Sequence, residues 1–189
     1  MARLRLFIAL DTPREVRGAL AKVRDQLRTS RADVKWEPDE KLHCTLKFLG
    51  DTDETLVPEI VRQLTAISET TPPINVVYRT LGAFPNARDP RVIWIGMDDQ
   101  AGAIEHLQNR IGNGMSALGY PSEDRPFHQH VTLGRVKSRR DIGNLLTMME
   151  TVTFEGGPVS LNEVAVVRSD LKPGGSVYSI LKAIPFIGK

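Results

Sequence analysis

The sequence contains a single cysteine, Cys44, which excludes an internal disulfide. Because disulfide-free chains are typical of reducing compartments, we expect a cytoplasmic protein. No apolar run approaches the 18 residues of a membrane-spanning helix, so no membrane association is expected. The apolar start, residues 1–10, lacks a small-residue cleavage site and leads directly into Asp11-Thr12-Pro13. It therefore predicts a first strand and not a signal peptide.

A strong charge of either sign is also missing. Lys and Arg number 25 and Asp and Glu 23, for a formal net charge of +2. This balance permits an anionic substrate but does not by itself indicate nucleic-acid binding. The 189 residues are 41% hydrophobic and contain no low-complexity segment or evident linker. These properties predict one globular domain, or one compact unit of two lobes.

Two short stretches resemble each other: His43-Cys44-Thr45-Leu46 and His130-Val131-Thr132-Leu133. Each lies in a run that predicts a strand, and side chains two residues apart on a strand point to the same face. Each strand therefore offers one imidazole and one hydroxyl together. Since the chain has only four histidines, the matched pair favours a functional role over a chance pattern.

The hydrophobic pattern places one such motif strand in each half of the chain. The order strand, helix, motif strand, helix occurs twice, and Thr12 is predicted to cap the first helix. We therefore expect an α+β fold: a bilobal, pseudo-two-fold domain over residues 1–189. Each lobe would be an antiparallel sheet with flanking helices, and the motif strands would meet at a central cleft. The predicted strands are 3–10, 34–36, 42–49, 74–81, 91–97, 129–136, 152–155, 159–168 and 176–184, and the helices 13–29, 54–70, 101–118 and 139–150.

Paired imidazoles and hydroxyls suit acid–base chemistry at phosphorus. The ordinary pKa of histidine is near 6.5, so one ring can act as neutral base while the other acts as charged acid. In-line displacement needs these two groups on opposite sides of the phosphate. The hydroxyls of Thr45 and Thr132 could hydrogen-bond the non-bridging oxygens, where negative charge gathers.

The wider sequence resembles the two-histidine phosphoesterase superfamily, specifically its LigT-like branch, the RNA 2′,3′-cyclic phosphodiesterases. The resemblance rests on residues 5–10, 42–50, 125–135 and 167–178 and extends over nearly the whole chain. It implies hydrolysis of RNA 2′,3′-cyclic phosphate ends, or of cyclic nucleotides, to 2′-phosphates without metal or other cofactor. It also implies the reverse reaction, in which RNA ends are joined through a 2′–5′ linkage.

Carried over by motif, the resemblance implies that His43 and His130 are the catalytic pair and that Thr45 and Thr132 hold the phosphate. It also implies that a basic residue after the second motif, here Arg135, binds phosphate. Strict alternation places Arg135 on the face opposite His130, so this role requires a bulge near Gly134.

Other residues are assigned from the pattern. Phe7 is expected to line the cleft and to stack on a base, and Arg31, Lys35, Lys41 and Lys47 could make the cleft rim positive. Two residues depart from the family pattern: Cys44 stands where an aliphatic residue is usual, and Gln129 stands where a proline is usual. Cys44 should point away from the cleft as a small core residue.

Several alternatives remain open. His43, His128 and His130 could instead supply three nitrogen ligands to zinc. The chain could act chiefly as a 2′–5′ RNA ligase through the same residues, or bind nucleotides without catalysis. His106 falls in a predicted helix and is expected to be a surface or core histidine. Since one chain supplies both motifs, a monomer is expected.

Overall fold

The computed structural model describes residues 2–99, 101–123 and 125–189. The described chain contains nine strands and four α-helices. The strands are β1 (Arg3–Asp11), β2 (Val34–Trp36), β3 (His43–Asp53), β4 (Ile74–Phe84), β5 (Val92–Asp98), β6 (His130–Val136), β7 (Glu155–Leu161), β8 (Glu163–Lys172) and β9 (Gly175–Pro185). The helices are α1 (Arg14–Arg28), α2 (Val57–Ser68), α3 (Ala103–Ser116) and α4 (Ile142–Thr151).

The strands form two antiparallel sheets, as the sequence predicts. One sheet has the order β3-β1-β8-β9, and the other has the order β2-β6-β5-β4-β7. Helices α2 and α3 pack together beside the first sheet, whereas α1 and α4 pack beside the second. The two halves of the chain are interleaved, because β2 and α1 precede the first motif strand but join the sheet of the second. The α+β fold with two sheets is thus confirmed.

One contiguous hydrophobic core contains residues of both sheets and all four helices. Helix α1 illustrates its origin: Val16, Leu20, Val23 and Leu27 recur on one helix face, and all four are buried. A smaller cluster of Phe7, Ala9, Ala165 and Val167 lies on the other face of the first sheet. Within the described residues, no helix is long and apolar enough to cross a membrane.

Three local predictions were wrong. Pro13, not Thr12, is the N-cap of α1; Thr12 is buried and makes no cap bond. Strand β3 does not end at Gly50 but continues to Asp53, because the basic start of β1 pairs with it as far as Arg3. The single strand predicted at 159–168 is two strands, since the chain crosses from one sheet to the other at Asn162.

Candidate active site

The two motif strands bring their histidines to one cleft. Strand β3 lies at the edge of the first sheet and contacts β6 of the second. The Cys44 thiol hydrogen-bonds the backbone of His130, so the two motifs touch directly. His43 and Thr45 alternate with the buried residues Cys44 and Leu46, and His130 and Thr132 alternate in the same way with buried neighbours.

The His43 ring is held on several sides. Its Nε2 lies 3.1 Å from Thr45 Oγ1, and the backbone of Lys41 accepts another hydrogen bond from the ring. Phe7 stacks on the imidazole with the ring centroids 5.0 Å apart, and Tyr178 meets it edge-on at 5.5 Å. These contacts fix the ring orientation, which directional proton transfer requires.

The His130 ring is held in a matching way. Its Nδ1 donates to the carbonyl of His128, two residues earlier, over 2.6 Å. The Phe84 ring meets it at 4.9 Å, and Trp94 lies at 6.2 Å. With Nδ1 bonded to the backbone, Nε2 is the nitrogen left for proton transfer. Each motif histidine thus bonds to a backbone group two residues earlier and packs on two aromatic rings.

A β-bulge occurs at the same place in both motifs. The extra residue is Leu46 in β3 and Leu133 in β6, the fourth residue of each motif. The bulge in β6 is the irregularity near Gly134 that the sequence argument required. A Cβ on Gly134 would lie 2.7 Å from Val34 Cγ1, so glycine permits the close approach of β2 here.

The bulge in β6 keeps Arg135 near the motif histidines. Its guanidinium contributes to the electrostatic environment of His43, His130 and Tyr178. Its side chain is 58% exposed, and Nε lies 3.7 Å from Glu37 Oε1. Arg135 is therefore a cation near the motif histidines.

The corresponding bulge in β3 overturns the assignment of Lys47 to the cleft rim. Because the extra residue shifts the alternation, Lys47 turns inward, and its side chain is only 3% exposed. Its Nζ donates to the carbonyl of Pro121 over 2.5 Å. Phe48 takes the position that corresponds to Arg135 and is 63% exposed. At the rim itself, Lys41 Nζ stands 5.2 Å above the Tyr178 ring.

Both motif histidines favour the neutral form in the free protein. Burial lowers the pKa of His43 to about 4; the Lys41 backbone and Asp11 act in the opposite direction, and His130 and Arg135 lower the pKa further. Burial also lowers the pKa of His130, against the hydrogen bond to His128, and the charges of His128 and Arg135 add to the lowering. The histidines differ in one respect: Asp11, paired with His43 across β1 and β3, favours imidazolium only at His43.

Among the described residues, the cleft has no reactive thiol and no group of three metal-binding side chains. Cys44 is buried, and burial raises the pKa of its thiol to about 12, which favours the inert form. Across the described ranges, no three His, Cys, Asp or Glu side chains are grouped so as to hold a metal ion.

Comparison with known proteins places the chain in a family. The model of the family described as "LigT like Phosphoesterase" matches residues 10–94 and again 95–178. Each match contains one of the two motifs, and together they cover most of the chain. The chain belongs to the LigT-like phosphoesterases.

Relatives and solved structures agree with this assignment. The LigT-like chain is 32% identical to a protein of Aeropyrum pernix named RNA 2′,3′-cyclic phosphodiesterase, over 87% of this chain and 93% of that one. A protein of the same name from Methanothermobacter thermautotrophicus is also 32% identical, over 94% and 96%. The crystal structure of TT0787 of Thermus thermophilus superposes with a TM-score of 0.82 at 30% identity, covering 98% and 100% of the two chains.

A pocket opens beside His43 in this LigT-like phosphoesterase. It has a volume of about 340 Å³ and is lined by Phe7, Ala9, Asp11, Arg17, Glu40, Ala165, Val167, Tyr178 and Ile180 together with His43. We call it the His43 pocket. Phe7 lines it as predicted, but only 4% of this residue is exposed, since its ring packs against His43, Phe48 and Tyr178. Phe7 thus forms an apolar floor and offers no free face on which a base could stack.

Sequence reasoning missed two residues of this pocket. Tyr178 stands on β9, far from both motifs in the chain, and reaches His43 only because β9 pairs with β8 beside β1. Asp11 ends β1 opposite His43 and bonds to Arg17 over 2.7 Å. The sequence carries a signal only for Asp11, which directly follows the first predicted strand; Tyr178 becomes visible only with the strand order.

Proposed function

We propose that this LigT-like phosphoesterase hydrolyses RNA 2′,3′-cyclic phosphate ends to 2′-phosphate ends by acid–base catalysis with two histidines and no metal. The observation that carries the proposal is the matched geometry: two motif strands contribute His43, Thr45, His130 and Thr132 to one cleft beside Arg135. The relatives named RNA 2′,3′-cyclic phosphodiesterase support the choice of substrate.

In this proposal His130 is the base and His43 the acid. Burial keeps both rings neutral in the free protein. A bound phosphate anion raises the pKa of any histidine beside it, because it stabilises imidazolium. Asp11 adds to this effect at His43 alone, whereas Arg135 opposes it at both histidines and His128 opposes it at His130. Because Asp11 is the one carboxylate among the described residues that favours imidazolium at either ring, we assign the proton in the complex to His43. His43 passes it to the departing 3′ oxygen, while His130 accepts the proton of the attacking water.

The phosphate is held by groups between the two rings. The hydroxyls of Thr45 and Thr132 donate to the non-bridging oxygens, and Arg135 balances the charge that develops on them. The bulge after Thr132 supports this role, because it keeps Arg135 beside the motif face of β6. Glu37, at 3.7 Å from the Arg135 guanidinium, positions it before substrate binds.

The nucleoside that carries the cyclic phosphate occupies the His43 pocket. Tyr178 is half-exposed at its wall and offers a ring edge and face to the base, and Phe7 supplies the apolar floor. Lys41, above Tyr178, adds positive charge at the entrance for the RNA backbone. Small cyclic nucleotides fit the same description, since the pocket adjoins the catalytic pair directly.

The working unit in this proposal is one chain. Residues 1–189 supply both motifs, the phosphate-binding groups and the His43 pocket, so a monomer suffices. We place the enzyme in the cytoplasm, where a single buried cysteine is in keeping with the reducing conditions.

The lowered pKa values of His43 and His130 predict how the hydrolysis rate depends on pH. Since kcat/KM reports the free enzyme, it should fall about tenfold per pH unit between pH 6.5 and 8, because the pKa of His43 lies at about 4 and its protonated fraction falls tenfold with each unit above that value. The corresponding fall in kcat should lie at higher pH, because the bound phosphate raises the pKa of His43. Initial rates with a 2′,3′-cyclic nucleotide across pH 4 to 9 measure both curves. A kcat/KM that is constant from pH 6.5 to 8 would contradict the assignment of lowered pKa values.

Ligation is the second candidate, because the same residues can run the reaction with an alcohol in place of water. One experiment separates the two: an RNA oligonucleotide ending in 2′,3′-cyclic phosphate is incubated with a second one that carries a 5′-hydroxyl. We expect the hydrolysed oligonucleotide with a 2′-phosphate as the main product. A 2′–5′ joined product in excess would make ligation the principal activity.

A further inference from the structure

One buried cation near the active site takes no direct part in the proposed hydrolysis. Arg24 of α1 is the only buried arginine among the described residues, with 8% of its surface exposed. The apolar face of α1 already holds this helix on the second sheet, so the packing of α1 does not depend on Arg24. Replacing a buried ion pair with apolar residues of similar volume is often neutral for stability. The contacts of Arg24 indicate a role in the active site instead.

Arg24 connects α1 to residues 37–41, which lie between β2 and β3 and which we call the 37–41 segment. Its Nη1 donates to the carbonyl of Glu37 over 2.9 Å and to Asp39 Oδ1 over 2.5 Å. On the helix side of the guanidinium, Nε donates to Asp25 Oδ1 over 2.9 Å. The donors of a guanidinium diverge in a fixed, planar fork, so one arginine can bond the helix and the segment at the same time.

The 37–41 segment gains little from apolar packing. All of its side chains are exposed or half-buried, and residues 39–41 form a single 3₁₀ turn. Segments with few buried apolar contacts open locally more easily than the core does. The place of this segment therefore depends on its hydrogen bonds, of which Arg24 supplies two.

The 37–41 segment contacts both motifs. At one end, the Lys41 backbone accepts the hydrogen bond from the His43 ring. At the other end, the Glu37 N–H donates to the carbonyl of Leu133 over 2.8 Å, and Glu37 Oε1 lies 3.7 Å from Arg135 Nε. A shift of the segment would therefore move the acceptor beside the proposed acid together with the partner of the phosphate-binding arginine.

We propose that Arg24 is a positioning residue of the active site. Through the 37–41 segment it holds the Lys41 carbonyl against His43 and the Glu37 carboxylate beside Arg135. The inference rests on the proposed function and extends it to a residue that touches neither the substrate nor the reacting atoms.

The protonation of His43 reports the position of the segment. Burial lowers the pKa of His43, and the Lys41 carbonyl acts in the opposite direction because it stabilises imidazolium. If this carbonyl moves away, the pKa of His43 falls further. The other titratable groups around His43 are Asp11, Arg17, Glu40, His130, Arg135 and Tyr178. None of these is a hydrogen-bond partner of Arg24 among the described residues, so a change at Arg24 reaches His43 through the segment.

The test compares Arg24→Met with the wild-type protein, since methionine fills part of the space but donates no hydrogen bond. One readout is kcat for adenosine 2′,3′-cyclic phosphate as a function of pH. The other is the pKa of His43 in the complex with 2′-AMP, measured by NMR of the imidazole signals. We expect kcat at pH 7 to fall about tenfold, because small displacements of reacting groups slow catalysis. The pKa of His43 and the alkaline limb of the kcat profile should both move down by about half a unit or more.

Arg110→Met is the matched control. Arg110 is a half-buried arginine of α3 that donates to the Ile67 carbonyl and to the hydroxyls of Thr70 and Thr71 at the end of α2. It fastens one segment to a helix, as Arg24 does, but it bonds to neither motif nor to the 37–41 segment. Arg110→Met should lower the temperature of unfolding and leave kcat and the pKa of His43 unchanged. The same shift of the His43 pKa in Arg110→Met as in Arg24→Met would overturn the inference.

Asp39→Ala is a second variant that leaves α1 intact. The Asp39 side chain is 54% exposed, so its loss opens no buried cavity, and it removes one of the two bonds from Arg24 to the segment. Asp39→Ala should lower the pKa of His43 by a smaller amount than Arg24→Met, and it decides the question if Arg24→Met does not fold. A wild-type pKa of His43 in every folded variant would overturn the inference. Because this pKa is measured without turnover, absence of hydrolysis by the wild-type protein would instead overturn the proposed function.

Discussion

Replacing either motif histidine with alanine is expected to lower kcat for a 2′,3′-cyclic nucleotide by about 10³-fold. His130→Ala removes the group that takes the proton from water, and His43→Ala removes the group that protonates the departing 3′ oxygen. Because the two act in one concerted displacement, the double variant should lose little more than either single variant. Initial rates at saturating substrate measure the effect.

His106→Ala is the matched control for these variants. His106 is exposed on α3 and belongs neither to a motif nor to the lining of the His43 pocket, so its loss should leave kcat unchanged. Thermal unfolding of each variant shows whether the fold persists, because His43 packs against Phe7 and Tyr178. Losses below tenfold for both His43→Ala and His130→Ala in folded protein would favour a module that binds nucleotides without catalysis.

Replacing Thr132 with valine is expected to lower kcat by about 10²-fold, with a smaller effect on KM. Valine keeps the branched shape that suits the strand but removes the hydroxyl that donates to a non-bridging oxygen. The hydrogen bond from this hydroxyl stabilises the transition state more than the bound substrate, because negative charge on those oxygens is largest in the transition state. Steady-state kinetics with a cyclic nucleotide separate the two parameters.

Thr132→Ser provides the control, because serine restores the hydroxyl without the methyl group and should keep kcat within a few fold of the wild-type value. Thr132 is a cleaner test than Thr45, whose hydroxyl also hydrogen-bonds Nε2 of His43. Equal activity of Thr132→Val and the wild type would contradict the proposal that the Thr132 hydroxyl binds the phosphate.

The placement of the motif side chains was predictable because it depends on strand alternation alone. His and Thr two residues apart share a face in any strand, and a repeated motif in each half predicts two such faces. The same rule failed at Lys47, because the extra residue Leu46 reverses the alternation of the side chains that directly follow it. The need for a bulge near Gly134 could be inferred from Arg135, but nothing in the sequence marked the equivalent bulge at Leu46.

The remainder of the cleft depends on strand order, which local patterns do not encode. Tyr178 reaches His43 through the order β3-β1-β8-β9, and a second pocket forms where β4 and β5 meet the segment before His130. The interleaving of the halves was equally hidden, because β2 is too short to show which sheet it joins. Such long-range pairing is determined by the packing of the whole core and not by any one segment.

The most direct test of the account is the product of adenosine 2′,3′-cyclic phosphate hydrolysis in the presence of EDTA, followed by ³¹P NMR. The account predicts 2′-AMP as the product, formed at the same initial rate with and without the chelator. Loss of activity in EDTA with recovery on adding zinc would contradict the proposal that two histidines suffice. Formation of 3′-AMP would contradict the assignment of His130 as base and His43 as acid.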